Sequence, residues 1–337
     1  MKQIRSFYTF CAISLALCIV CSVAAMLLSS KTETVAKHDA LIKWVDFNPT
    51  YEALSDCLKY DISTYGTSTH AGWIDLLAYL AASGDGTFDG YKSSALSKVC
   101  SQLADGTTIA SIGENLKSFP YYKEAFSAVL GGFVGEYEIE TKNGTFEKKY
   151  GLKVFSPLAK GYAYSDCDDF GAGRSYGFKR KHLGHDMMGS VGTPVVAIES
   201  GYVECVGWNQ YGGWRIGIRS FDKKRYYYYA HLRKDHPYND IYEGKTITAG
   251  DVIGYLGMTG YSTKENVNNI NTPHLHWGMQ LIFDDSQKDA ISEIWIDVYA
   301  ITKLLRKNQS AVYRPEGSKD FERRYQMFEP GVTAFSH

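Results

Sequence analysis

From about Lys43 to Gly135 the apolar residues return at helical spacing. Trp73, Leu76, Leu77 and Leu80 follow the i, i+3, i+4, i+7 rule of a helix with one buried face. Leu96, Val99, Cys100 and Leu103 repeat it, as do Phe126, Val129, Leu130 and Phe133, while Ile109, Ile112 and Leu116 give a weaker version. Asn48-Pro49 predicts a cap followed by proline at the first helical position, opening a helix that carries Tyr51, Leu54 and Leu58. Turn residues at Ser83-Gly84-Asp85-Gly86 and Asp105-Gly106 separate the stretches. The expectation for residues 43–135 is a small bundle of four or five short helices.

After about Glu138 the period shortens. Runs of β-branched and aromatic residues cover Thr193 to Ile198, Tyr202 to Trp208, Trp214 to Phe221, Arg225 to His231, Asp251 to Leu256 and Leu275 to Phe283. Glycine-containing turns divide them at Glu199-Ser200-Gly201, Tyr211-Gly212-Gly213, Ala249-Gly250 and Thr259-Gly260. Such spacing predicts a mainly β domain over residues 150–310, an antiparallel sandwich or partly open barrel. A last helix is expected from about Asp297 to Asn308, and residues 311–337 read as a polar tail with little periodicity.

The N-terminal pattern is different again. Lys2 and Arg5 precede an uncharged, mostly apolar run from Phe7 to Leu28, and Lys31 follows. The run matches the ~20 residues of a bilayer-spanning helix and exceeds the ~7–15 of a signal-peptide core. Residues 1–31 are therefore expected to be a single-pass signal anchor, with the basic flank cytoplasmic and the rest of the chain outside the cell membrane. A cleaved signal peptide, cut after Ser22-Val23-Ala24, is the other reading, and both export the remainder. Of the cysteines outside this run, Cys57, Cys100, Cys167 and Cys205, an oxidising compartment allows bridges but does not require them.

Charge removes some functions. With 36 basic and 37 acidic residues the net charge is −1, so nothing points to nucleic acid. Glu52, Asp75 and Glu124 in the helical region are expected on a solvated face, and His38 and His70, without companions at ligand spacing, at the surface.

The chemistry concentrates at three places in the β-rich region. His182-Leu183-Gly184-His185-Asp186 precedes the strand opened by Gly192-Thr193-Pro194-Val195, Tyr229-Ala230-His231-Leu232 ends the tyrosine-rich strand, and Pro273-His274-Leu275-His276-Trp277 begins another. Residues two apart on a strand share a face, so His274 and His276 converge. An aspartate and two histidines suit zinc, whose catalytic sites keep three protein ligands and an open fourth position. The chain has no His-Glu-x-x-His, so no helix-borne glutamate is available as a base, and a neutral histidine is the natural substitute.

These segments, in this order, resemble the lysostaphin-type (LytM-like) zinc endopeptidases, the family with the duplicated hybrid β fold. The match includes His182-x-Gly184-x-Asp186, Gly192-Thr193-Pro194-Val195, Gly201-Tyr202-Val203, Tyr229-Ala230-His231-Leu232, Gly250-Asp251-Val252-Ile253-Gly254, Thr259-Gly260-Tyr261-Ser262-Thr263 and Pro273-His274-Leu275-His276. Phe170-Gly171 with Arg174 looks like the family's opening strand, and the resemblance covers roughly residues 155–285. It implies a Zn2+ ion on His182, Asp186 and His276, with His231 and His274 as the catalytic histidines. His274 is then the expected base and His231 the expected oxyanion partner, the opposite division being open, while His185 breaks the spacing and reads as structural. The implied reaction is hydrolysis of peptide bonds in the stem peptides or cross-bridges of peptidoglycan. Two other classes stand beside it: a family member that binds cell wall or a protein partner without catalysis, and a phosphate-carrying transport component of similar architecture. The sequence departs from the family in a polar insertion, Lys264 to Thr272, which bears on substrate choice, and in Trp277 and Gly278-Met279 after the last histidine.

Overall fold

The structure, a computed structural model, describes residues 44–175, 179–289 and 292–330, together with Ile42 and Val332. The expected membrane-spanning run lies outside the described residues, and among them no helix is long and apolar enough to cross a membrane.

Among the described residues five helices come first: α1 (Tyr51–Thr64), α2 (Trp73–Ser83), α3 (Ser93–Ala104), α4 (Ile109–Gly113) and α5 (Phe119–Leu130). The periodic positions are the buried ones, with Leu54, Leu76, Leu77, Val129, Leu130 and Phe133 all removed from solvent. The start of α1 corrects the predicted Asn48-Pro49 cap. The cap is Thr50, whose hydroxyl accepts the Ala53 N–H and so satisfies one of the donors left over at a helix start. α2 opens on Gly72, which has no side chain to cap with, and the Trp73 N–H instead donates to the buried Asp61 carboxylate of α1 at 2.9 Å. Asp61 also bonds His70 and the Tyr150 hydroxyl. His70 is therefore half-buried and paired, not the surface residue its isolation in sequence suggests.

The strands follow. β1 (Val134–Glu140) and β2 (Phe146–Leu152) pair as an antiparallel hairpin through Asn143-Gly144, in a stretch the hydrophobic pattern left without an element. Then come β3 (Ser165–Asp166), β4 (Gly173–Ser175), β5 (Lys179–Lys181), β6 (His185–Met188), β7 (Pro194–Val196), β8 (Gly201–Asn209), β9 (Gly213–Ser220) and β10 (Arg225–Ala230). β11 (Thr246–Ile247), β12 (Val252–Tyr255), β13 (His274–Leu281) and β14 (Ile294–Ile296) precede a further helix, α6 (Tyr299–Leu305). An eight-stranded sheet runs β11-β8-β9-β10-β13-β6-β3, with β14 also on β13, and β7 pairs with β12 separately. Every named strand pair is antiparallel, in keeping with the predicted mainly β class.

Alternation along β10 explains its five-residue aromatic and alanine run. Tyr227 and Tyr229 point into the core, and Tyr226, Tyr228 and Ala230 lie on the other face. Tyr229 keeps its hydroxyl satisfied by accepting the Ile198 N–H, and Tyr227 donates to Glu199.

Two expectations about extent change in the structure. The helices of 43–135 and the strands of 150–310 share one hydrophobic core, and the chain from Trp44 onward is one unit. The buried Arg225 reinforces the join, donating to Ala128 O of α5 at 2.8 Å while its fork holds Glu199 at 2.8 and 3.0 Å. The C-terminal segment is not a loose polar tail over its described length. β15 (Val312–Tyr313) pairs with β16 (Glu322–Arg323), β17 (Met327–Phe328) pairs with β1, and Arg323, Met327 and Glu329 are buried. Strands of two residues carry no readable period. Cys57, Cys100, Cys167 and Cys205 are all free thiols.

Candidate active site

The register of the central sheet assembles the site. Asp186 on β6 stands directly opposite His276 on β13, which in turn stands opposite Ala230 at the end of β10. Asp186, His276 and, two residues earlier, His274 thus share one face of the sheet. His185 precedes Asp186 by one residue and faces the other way, into the core, where it is buried and bonds Asp166 at 3.1 Å. Its exclusion from the site follows from the strand's period of two. His182 arrives from the loop before β6, its backbone fixed by bonds with Ala172 and Gly171.

Three donor atoms meet here. Asp186 Oδ1 lies 3.1 Å from His182 Nε2 and 2.8 Å from His276 Nδ1, and the two nitrogens are 3.1 Å apart. The other atom of two of these side chains is already committed. His182 Nδ1 is 2.9 Å from Asp169 Oδ1, so it donates there and leaves Nε2 as a lone-pair donor. Asp186 Oδ2 accepts from Arg174 at 3.1 Å, and Arg174 also holds Asp169. Two imidazole nitrogens and a carboxylate oxygen turned towards one another form a set that a cation satisfies and neutral contacts do not. His182, Asp186 and His276 are a candidate metal site, with a donor set that suits zinc. Asp169 is the supporting carboxylate such histidines usually have.

Gly184 explains its place in the His-x-Gly-x-Asp motif. A Cβ there would sit 2.6 Å from His276 Cε1 and Nε2 and 2.7 Å from the Trp277 carbonyl. Any side chain would push the His276 ring off its point.

The remaining two histidines are held in a common manner. His231 follows β10 with φ +62°, in the left-handed region, its N–H on the Gly212 carbonyl. Its Nδ1 is 2.9 Å from the Thr259 carbonyl, and His274 Nδ1 is 2.8 Å from the Thr272 carbonyl. A carbonyl can only accept, so each Nδ1 carries the proton and each Nε2 is a proton acceptor. His274 Nε2 lies 3.8 Å from Asp186 Oδ1. The His231 ring is 4.8 Å from that of His274 and 5.9 Å from that of His276, centroid to centroid.

Electrostatics follow the geometry. Burial would raise the Asp186 pKa, but its hydrogen bonds with His182 and His276 and the charge of His276 outweigh it and hold the carboxyl far below its usual range. Burial opposes charge on His182 too, yet the bond to Asp186 raises its pKa overall. Burial lowers His276, and pushes His231 well below the ordinary histidine value, with His274 and His276 adding to the effect on His231.

All five sequence-predicted residues line one cleft of about 360 Å³. Arg174, Arg180, Tyr211, Tyr228, Tyr261 and Ile270 complete much of its wall. The insertion from Lys264 to Thr272 borders it through Ile270, Asn271 and Thr272, as its position predicts. Asn266 pins this loop, accepting from Trp214 Nε1 and the Asp235 N–H, and Asn269 donates to the Tyr261 carbonyl. Sequence reasoning did not find Asp169, which lies 13 positions before its histidine in irregular chain, or Arg180.

Comparison with known proteins agrees with this geometry. Residues 180–290 match peptidase family M23. The L-Ala–D-Glu endopeptidase of Bacillus subtilis (strain 168) is 38% identical over 123 residues, a stretch that is 36% of this chain and 36% of that protein. Lysostaphin of Staphylococcus staphylolyticus is 41% identical over 97 residues, 28% of this chain and 18% of its own length. The chain thus spans about a third or less of these two relatives. The crystal structure of LytM from Ruminococcus gnavus shares the fold, with a TM-score of 0.54 and 21% identity over 80% of this chain and 92% of that one. That coverage exceeds the β-rich region alone, so the likeness takes in helical residues as well.

Proposed function

We propose that this chain, whose residues 180–290 form a peptidase family M23 domain, is a zinc-dependent endopeptidase that hydrolyses peptide bonds in the stem peptides or cross-bridges of peptidoglycan. One observation carries the reading: three donors from two strands and a loop point at one spot, and two histidines with free Nε2 atoms border the same cleft. The name of one relative, an L-Ala–D-Glu endopeptidase, supports hydrolysis of a peptide bond.

His182, Asp186 and His276 would hold the ion, and Asp169 and Arg174 would keep the first two aimed. Zinc, when bound, supplies a Lewis acid that polarises a carbonyl and makes water nucleophilic at neutral pH. His231 and His274 then manage the proton. Each has an unprotonated Nε2 facing the cleft, so either can take the proton of the attacking water. Once protonated, the same nitrogen can donate to the developing oxyanion or to the leaving amine. Burial keeps His231 neutral, and therefore an acceptor, at physiological pH.

The apolar run from Phe7 to Leu28 behind Lys2 and Arg5 supports a membrane-anchored domain outside the cell membrane, where peptidoglycan lies. Protease added to intact, wall-stripped cells should remove the domain, and full protection contradicts this placement. The activity itself is tested on purified peptidoglycan by counting new amino termini. Cleavage should stop with a chelator and return with zinc. Tight binding to peptidoglycan with no amide cleaved by the zinc-loaded protein would favour the non-catalytic member of the family instead.

A further inference from the structure

We infer that Arg180 selects the substrate, favouring peptides with a carboxylate close to the cleaved amide over uncharged chains such as an oligoglycine bridge. The inference rests on the peptidase reading above and chooses between its two substrate classes.

The argument starts from an imbalance of charge. Apart from its histidines, the cleft is lined by three charged side chains, Arg174, Arg180 and Asp186. Arg174 and Arg180 stand directly opposite each other on the β4–β5 hairpin, so two guanidinium groups share one face. Like charges at opposed positions repel. Arg174 is compensated, because it holds both Asp169 and Asp186. Arg180 has no carboxylate partner among the described residues. Its Nε is buried without a hydrogen bond, and its guanidinium carbon stands 5.0 Å from the centre of the Tyr261 ring. The hairpin therefore presents to the cleft one partly desolvated cation that no carboxylate touches, with Asp186 acting on it only from a distance.

Tyr261 fixes where that cation acts. Its ring is 5.7 Å from the ring of His231, centroid to centroid. Arg180 thus lies within about three residues of His231 along an extended peptide. A guanidinium offers a planar fork that matches a carboxylate bidentately, and half-burial strengthens the attraction relative to water. A carboxamide in the same place offers no charge, and a glycine offers no group at all. Stem peptides, which carry carboxylates, fit this cleft, and a neutral bridge leaves Arg180 unpaired.

The test compares purified muropeptides with the same muropeptides after conversion of their carboxylates to carboxamides, using the full zinc-loaded chain. The ratio of kcat/KM, acid over amide, should be roughly tenfold or more, the size expected of a charge-assisted pair. In Arg180→Gln the ratio should fall to near one, and Arg180→Lys, which keeps the charge without the fork, should fall between. If Arg180 only braces Tyr261, Arg180→Gln lowers both substrates alike and keeps the ratio, and the inference is wrong. A wild-type ratio near one also overturns it. If the wild type cleaves neither substrate, the peptidase reading fails, and calorimetric affinities of the same two ligands still decide whether Arg180 prefers the acid.

Discussion

His231 and His274 stand with ring centroids 4.8 Å apart, each with its Nδ1 proton given to a backbone carbonyl, Thr259 for one and Thr272 for the other. The second carbonyl belongs to the inserted loop. The insertion therefore does two things: it lines the cleft and it fixes a tautomer. Replacing residues 264–270 with a single glycine, while keeping Asn271 and Thr272, should change which muropeptides are released and leave zinc content intact. Carrying the deletion through Thr272 should in addition slow cleavage, within the 10²–10⁴-fold range of acid–base catalysis. An unchanged product profile for the shorter deletion, read by chromatography of the digests, would show that the loop has no part in recognition.

Asp169 should tune the metal without touching it. Its carboxylate accepts the Nδ1 proton of His182 and so fixes the ring with Nε2 forward. Asp169→Ala should weaken zinc binding by roughly 10–100-fold, and Asp169→Asn, which still accepts a hydrogen bond, by less. Competition against a chromophoric chelator measures both. Equal affinities in wild type and Asp169→Ala would remove this residue from the site.

Much of the site is legible in the sequence, and the reason is local. His274 and His276 are two apart on a strand, and His182 and Asp186 are four apart across the turn into β6, so the spacing itself encodes convergence. Gly184 is readable for the same reason, as a close neighbour in a short motif. Asp169 is not, because irregular chain has no period from which a direction can be inferred. The β1–β2 hairpin hid behind its charges: Glu147, Lys148 and Lys149 are exposed, so β2 has little hydrophobic alternation to show, although Asn143-Gly144 was a turn signal. The helical region looked separate because its periodicity accounts for its own core. Only contacts such as Arg225 on Ala128 O, distant in sequence, show that the core continues into the sheet.

That junction should matter to stability. Arg225 is 1% exposed and Glu199 6%, and the two are joined by both Nε and Nη2. Removing Arg225 leaves Glu199 buried without its cation, at a cost of about 3–5 kcal/mol, whereas removing Glu199 leaves Arg225 still paired with Asp222 at 2.9 Å. Arg225→Ala should lower the free energy of unfolding by that order in denaturant titrations, and Glu199→Ala by less. A loss well under 1 kcal/mol would mean that water reaches the pair.

The division of the five site residues between metal and proton is the central claim, and zinc per chain in their alanine variants tests it most directly. His182→Ala, Asp186→Ala and His276→Ala each leave two protein ligands, so elemental analysis should find most of the zinc gone. His231→Ala and His274→Ala should retain near one zinc per chain, while their muropeptide release falls by roughly 10²–10⁴-fold. Loss of zinc from His274→Ala with retention in His276→Ala would show the paired histidines assigned the wrong way round. Full zinc and full activity in all five variants would contradict the account altogether.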